Sequence, residues 1–537
     1  MEHGLTLKDG KILDSRHKTQ DPGLKTQDVS PLSQREDTVS PLSQRGVRGD
    51  FTRHPSLVTR YYPVLRLASC VLCLFVVLMQ PGNAFGAWPD DPETNVPICT
   101  ADGVQEHPRI VTDGASGAII VWQDMSSPSS DIYAQRVDAR GEVLWTRDGV
   151  AICLEKGDQW FPNLVYDGAG GAIIAWWDER AGIGNMDIYA QRISGNGEVY
   201  WQPGGMPICA APKPQLEFNI IADGEGGAII AWHDHRAEGY TPYIYAQRVN
   251  ADGEVQWESD GILIGGQVGY QKYPDLASDG AGGAIIAWQD WRDGKGDIYA
   301  QRLNADGQKL WGEHGLTICE MPERQWHPKV IADSQGGAII FWMDHRNDEE
   351  SEIITLTDYR NRTGWDIYAQ RVDSHGKPLW QKNGVPVCLE LGDQYDYSVV
   401  SDGASGAFVT WYDQRKGNWD IYAQKLDSLG NAKWQKNGLP VCIDPSDQYN
   451  PNMVRDGVDG VIIAWWDKRD IYADIYAQRI DTKGDFLWTE SGVAICMAPG
   501  AQHDPHPVSS GIGSAIIVWW DKRKVDADIY VQRVFSE

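Results

Sequence analysis

The stretch DIYAQRVDARGEVLW at residues 131–145 returns, nearly letter for letter, as DIYAQRLNADGQKLW at residues 297–311. Its tyrosine recurs at Tyr133, Tyr189, Tyr245, Tyr299, Tyr368, Tyr422, Tyr476 and Tyr530, in steps of 56, 56, 54, 69, 54, 54 and 54 residues. A second marker, the tryptophan of GAIIVW or GAIIAWWD, recurs as often: Trp122, Trp176, Trp232, Trp288, Trp342, Trp411, Trp465 and Trp519. A fixed period of this length signals a repeat architecture, in which each unit buries its apolar face against its neighbours.

The local patterns inside one unit are those of strands. PNLVYDGAGGAIIAWWDER holds two β-rich runs around Asp167-Gly168-Ala169-Gly170-Gly171, a hairpin signal. DIYAQRISGNGEVYW adds two more around Gly195-Asn196-Gly197. GAIIAW is apolar at consecutive positions, as in a strand covered on both faces. No segment sustains a 3.6-residue period, so helices should be nearly absent. The short GVAIC run (149–153) either prolongs the fourth strand or leads back inward. Four strands per unit and eight units predict an all-β, eight-bladed β-propeller.

A linear solenoid is the alternative, but it needs polar capping repeats at both ends. Here the eighth unit stops at DADIYVQRVFSE, without its outer segment. An unattached Trp88 and an "IC" ending at Cys99 stand at the other end of the repeat region. The expectation is that this N-terminal strand completes the last blade and closes the ring, leaving no free edge. Residues 87–537 then form the propeller.

The chain has 537 residues, 24 of them tryptophan, with a net charge of −27. Residues 1–87 carry 11 Lys and Arg against 8 Asp and Glu, so the propeller is more acidic than the whole chain. That argues against nucleic acid and anionic lipid as partners, since both need an extended basic surface. Arg60 and Arg66 precede an apolar run over 67–79, followed by the small-residue stretch Ala84-Phe85-Gly86-Ala87. This is the layout of an export signal over residues 61–86, cleaved after Ala84 or Gly86, and too short to span a bilayer. The expected location is secreted, periplasmic or cell-surface, with no membrane insertion after cleavage. Residues 1–60 are polar, repeat VSPLSQR at 29–35 and 39–45, and read as a disordered or mis-assigned extension.

Cys99, Cys153, Cys209, Cys319, Cys388, Cys442 and Cys496 share one repeat position, where the remaining unit has Gly265. Neighbouring sheets stand about 10 Å apart, beyond the reach of a disulfide, so these are expected to be buried thiols. No metal is expected: CxxC spacing is missing, and His233-Asp234-His235 lacks a third ligand nearby in sequence. No cofactor motif is present in a suitable context.

The string D-I-Y-x-x-[R/K]-x-[D/N]-x-x-G-x-x-x-W, as in DIYAQKLDSLGNAKW at 420–434, resembles the repeat of secreted bacterial β-propeller proteins. The resemblance spans 88–537 and implies an exported propeller of mostly unassigned activity. Members of that family are often seven-bladed; eight units are counted here.

Residues that recur in every unit should hold blades together, and those that vary should carry function. W-x-D-x-R (residues 176–180 and equivalents) reads as structural carboxylate–guanidinium pairing. The more promising set starts from a glutamine that precedes each inner strand, among them Gln159, Gln325, Gln394 and Gln448. Beside it stand varied aromatics: Trp160, Tyr273, Trp326, Tyr395 and Tyr449. The residue after each marker tryptophan also varies, giving Trp177, Tyr412, Trp466 and Trp520. Aromatic faces with amide partners suit sugar rings or peptide side chains. The competing reading is that they pack between blades.

The expected activity is therefore that of a non-catalytic binding or scaffold protein, engaging a glycan or an extracellular protein as a monomer. No catalytic residue is assigned. The rival is a carbohydrate-active hydrolase or lyase at the channel mouth, whose best carboxylates are Glu217, Asp396 and Asp504, at one varied repeat position. A long insertion in the fifth unit, 347–365, is a further candidate for partner contact.

Overall fold

The computed structural model describes Thr6–Lys8, Lys11–Leu13, residues 88–347 and residues 364–535. The two short N-terminal strands pair with each other. The expected export signal and the body of the fifth-unit insertion lie outside the described residues.

Residues 88–535 form eight four-stranded antiparallel sheets. Blade 2 is typical, with strands Gln159–Tyr166, Ala172–Asp178, Asp187–Ile193 and Met206–Cys209, from the innermost outward. Each innermost strand adjoins that of the next blade, and Gln502–Gly511 of blade 8 adjoins Gln105–Thr112 of blade 1. The ring is closed, as the repeat count and the missing eighth ending predict. The fourth strand of blade 8 is Val96–Cys99, paired with Asp528–Phe535. Trp88 takes the eighth tryptophan's role as well. Its Nε1 donates to Ala139 O at 2.9 Å, as Trp145 Nε1 donates to Gly195 O and Trp434 Nε1 to Thr482 O in neighbouring hairpins.

One expectation is corrected. The tail of the opening phrase is not an outer strand. Val143 makes only an isolated bridge to Val137, and the fourth strand is Val150–Cys153. A side chain stands where the ladder would run: Gln135 Nε2 donates to Thr146 O, and Gln135 Oε1 accepts from Trp145 N. The glycine that opens GVAIC is required by the core. Gly149 has φ +99°, and a Cβ there would lie 2.5 Å from the Trp122 ring.

The second strand of each blade is buried along its length except at Tyr412 and Trp466 in blades 6 and 7, and all eight marker tryptophans are fully buried. A buried indole N–H needs an acceptor. Asp178 Oδ2, two residues after Trp176, accepts at 2.8 Å. That carboxylate, itself fully buried, needs a counter-charge. Arg180, two residues further, supplies it through Nε and Nη2 at 2.8 and 2.6 Å. Its guanidinium lies 3.8 Å over the Tyr189 ring and reaches Cys153 Sγ of the preceding blade at 3.3 Å. The W-x-D-x-R motif is thus an inter-blade joint. The arginine is replaced only at the joint between blades 8 and 1, where Ser126 stands.

The seven described cysteines are free and buried within these joints. Burial pushes the Cys153 thiol up to about 12, so it is neutral and inert. A second clasp works at the opposite ends of the strands. Arg136 pairs with Asp113 at 2.8 Å and donates to Gly195 O of the next blade at 2.7 Å. Among the described residues no helix is long and apolar enough to cross a membrane.

Candidate functional site

Every inner strand opens with Gln-x-x and is then bulged. In blade 2, Gln159 and Trp160 pair with Asp178 and Trp177, and pairing resumes only at Asn163 with Ala175. The residue two after the glutamine lies in the left-handed region in all eight blades: His107, Phe161, Glu217, Tyr273, His327, Asp396, Asn450 and Asp504, with φ between 40° and 56°. None is glycine. Six are followed by proline, which cannot donate to the ladder and so belongs in a bulge. Each strained residue costs on the order of 1 kcal/mol or more. The strained conformation recurs in every blade with the bulge, while the side chain that bears it varies in chemistry from blade to blade. Neighbouring members touch: His107 and Phe161 lie 4.7 Å apart by ring centroid, and Tyr273 and His327 4.4 Å.

The two varied aromatic positions prove to be direct cross-strand partners. Trp160 faces Trp177, Tyr395 faces Tyr412, and Tyr449 faces Trp466. In blades 6 to 8 these pairs join across the blade boundaries. The ring centroids run from Tyr395 to Tyr412 at 6.3 Å, to Tyr449 at 5.5 Å, to Trp466 at 4.5 Å, to His503 at 4.7 Å and to Trp520 at 4.6 Å. Trp419 packs edge-on against Tyr412 at 4.9 Å. Tyr395, Tyr412, Trp419, Tyr449, Trp466 and His503 are all part-exposed, whereas Trp520 is buried.

The remaining candidates do not belong to this arc. Trp160 and Trp177 group with Phe161 and Phe218 in blades 2 and 3. Tyr273 and Trp326 group with His327 and Trp365 in blades 4 and 5. Trp419, Trp365 and His503 were not singled out from the sequence. Trp365 and Trp419 each sit directly before the Asp of the repeated phrase, where other units have small or unrelated residues. That contrast was the available signal.

The glutamines serve the loops. Gln159 Nε2 donates to Gly157 O at 3.0 Å, Gln394 Nε2 to Gly392 O at 3.0 Å, and Gln448 Nε2 to Ser446 O at 2.6 Å. Gln325 Nε2 donates to Glu323 O at 3.3 Å. All four are fully buried, so in this structure they fix the loops that carry the aromatics and present no surface of their own.

The three rim carboxylates differ in setting. Asp504 lies 3.3 Å from Arg109 Nη1 and 3.2 Å from His506 Nε2. Burial alone would raise its carboxyl, but His506 and Arg109 outweigh burial and hold it well below the usual range. It is a fixed anion, not a proton donor. Asp396 is exposed at the rim and accepts from Tyr412 Oη at 3.0 Å. Burial, and then the Asp396 charge, raise the Tyr412 hydroxyl, which stays protonated. Glu217 is half-buried at the equivalent place in blade 3. Among the described residues no group of three or more His, Cys, Asp or Glu side chains is arranged to hold a metal ion.

No protein-family model matches the chain, and no curated protein matches it either. Solved structures do resemble it. The polysaccharide lyase PL25 ulvan lyase bound to -[GlcA(1-4)Rha3S]- is 9% identical, with a TM-score of 0.46 over 81% of this chain and 95% of that one. The polysaccharide lyase Uly1 is 9% identical, with a TM-score of 0.42 over 81% and 100%. The α-L-arabinanase of Penicillium chrysogenum complexed with arabinobiose is 11% identical, with a TM-score of 0.35 over 82% and 98%. At these scores the activities of those proteins carry no weight for this one. The architecture itself, eight repeated four-stranded blades in a closed ring, fits a β-propeller repeat protein.

Proposed function

We propose that this protein is an exported, non-catalytic β-propeller that binds a glycan on its loop face through the aromatic arc of blades 6 to 8. One observation carries the reading: six part-exposed rings from three consecutive blades form one continuous series of stacked and edge-to-face contacts. Part-exposed aromatics beside hydroxyl and carboxylate groups match a sugar, which is apolar on one face and hydrogen-bonding at its edges. The arc breaks the eightfold symmetry, as a binding site on a repeat scaffold should. A glycan array tests it. Binding that disappears in Trp466→Ala and Tyr449→Ala variants of unchanged melting temperature supports the reading, and binding untouched by both defeats it.

A second reading rests on Asp396, an exposed carboxylate on strained backbone at the edge of the same arc. It would make the protein a carbohydrate-active hydrolase or lyase. Release of sugar ends from a bound polysaccharide, abolished by Asp396→Asn, would establish it; binding with no release leaves the first reading standing.

A further inference from the structure

Blades 7 and 8 carry the same module side by side. Their second strands end Trp465-Trp466-Asp467-Lys468 and Trp519-Trp520-Asp521-Lys522. Lys468 Nζ lies 5.3 Å from the Trp466 ring centroid and 5.2 Å from that of Tyr449. Lys522 Nζ lies 5.0 Å from the Trp520 ring. The other six blades have Met125, Glu179, His235, Trp291, His345 and Gln414 at this position. The pair of lysines is thus confined to one end of the arc.

Neither ammonium is neutralised by a described carboxylate. The acids and bases around them are otherwise engaged. Lys524 pairs with Asp528 at 3.0 Å, Asp470 hydrogen-bonds Asp474, and Asp447 accepts from Tyr449 Oη at 3.0 Å. In a chain of net charge −27, two ammonium groups held over aromatic rings and paired with no described carboxylate are conspicuous. A lysine is attracted to an aromatic face by the ring quadrupole, and it remains free to meet an anion from the solvent side.

We infer that the arc takes an anionic polysaccharide, with Lys468 and Lys522 each receiving one carboxylate or sulfate while the rings support the sugars between. The inference rests on the glycan-binding reading and narrows it. Repetition is its main support. Equivalent positions on adjacent blades are separated by about one sheet spacing, ~10 Å. Two tryptophan–lysine modules at that interval suit a polymer that presents an acid on every second sugar, and they are wasted on an uncharged chain or an isolated anion.

The test measures binding of a polyuronate, a sulfated glucan and the carboxyl-reduced, neutral form of the polyuronate to three proteins: the native chain, Lys468→Gln/Lys522→Gln and Trp466→Ala. The native chain should bind at least one acidic polymer and bind the neutral form more weakly. The double lysine variant should lose roughly fivefold or more on the acidic polymer, the sum of two part-exposed ion pairs, and nothing on the neutral one. The arms with uronate and sulfate identify which anion is taken. Equal binding of acidic and neutral polymers, or a lysine variant that binds the acidic polymer as the native chain does, overturns the inference and leaves glycan binding intact. Loss of all polymers in Trp466→Ala supports the parent reading. No binding to any polymer by the native chain overturns both.

Discussion

Replacing Trp88 with alanine tests whether the ring is closed from the chain's other end. Trp88 is 7% exposed, and it packs in the cluster formed by Ile98, Trp122, Ile516, Trp520 and Ile529. Its Nε1 donates to Ala139 O at 2.9 Å, and its ring lies against Gly141 of blade 1. Removing a buried tryptophan costs about 3–5 kcal/mol, with the lost hydrogen bond contributing about 1 of it. Unfolding a propeller of about 450 residues gains roughly 0.9 kcal/mol per kelvin of entropy, so the melting temperature should fall by about 4 °C. Trp434 is the internal control. It is 8% exposed, and its Nε1 donates to Thr482 O at 3.1 Å in the next blade. Differential scanning calorimetry of Trp88→Ala and Trp434→Ala should show similar drops, because the two indoles do the same work. A Trp88→Ala protein melting within about 1 °C of the native one, while Trp434→Ala falls as expected, would refute strand exchange as a source of stability.

Other consequences follow from the joints and the titrating groups. Arg415→Met leaves the fully buried Asp413 without its partner at 2.5 Å and should cost about 3–5 kcal/mol, read as a melting shift of similar size to that of Trp88→Ala. Burial first, reinforced by facing carboxylates, raises Asp187, Asp366 and Asp474 to about 7, and Asp297 and Asp420 to about 6. Between about pH 4 and pH 7 these five groups hold more protons in the folded chain than in the unfolded one, so their contribution to stability falls as pH rises through that window, partly offset by His233, His235 and His506, which burial makes harder to protonate in the folded chain. The melting temperature should be higher at pH 5 than at pH 8, and Asp→Asn at these five positions should flatten the slope; a slope of the opposite sign would contradict the assignment. Gln394→Ala, which frees the loop before Tyr395, should weaken binding on the arc while Gln215→Ala, in a blade outside the arc, leaves it unchanged.

Much of this architecture was legible in the sequence because repetition reports on every blade at once. The marker tryptophan, the Asp and Arg that follow it and the cysteine each recur because each fills the same joint, and Trp88 was recognisable by what the eighth unit lacked. The outer strand was misplaced because a side-chain amide, that of Gln135, imitates a ladder and leaves no trace in hydrophobic periodicity. The site was harder to read. Spacing located both varied positions, but not that Trp466 and His503 touch across a blade boundary, which depends on how neighbouring blades pack. The glutamines looked like ligands because they stand beside the varied residues; their amides turn inward to the loop carbonyls instead. The strained rim was visible only as a column of unlike residues before proline, since φ is set by the bulge and not by the residue that bears it.

The most direct test of the functional account is calorimetric titration of one arrayed glycan against the native chain, Tyr449→Ala, Trp466→Ala and Trp160→Ala. The account predicts that the two arc variants lose at least tenfold in affinity while Trp160→Ala, outside the arc, binds as the native chain does. Loss in Trp160→Ala with full binding in both arc variants would contradict it.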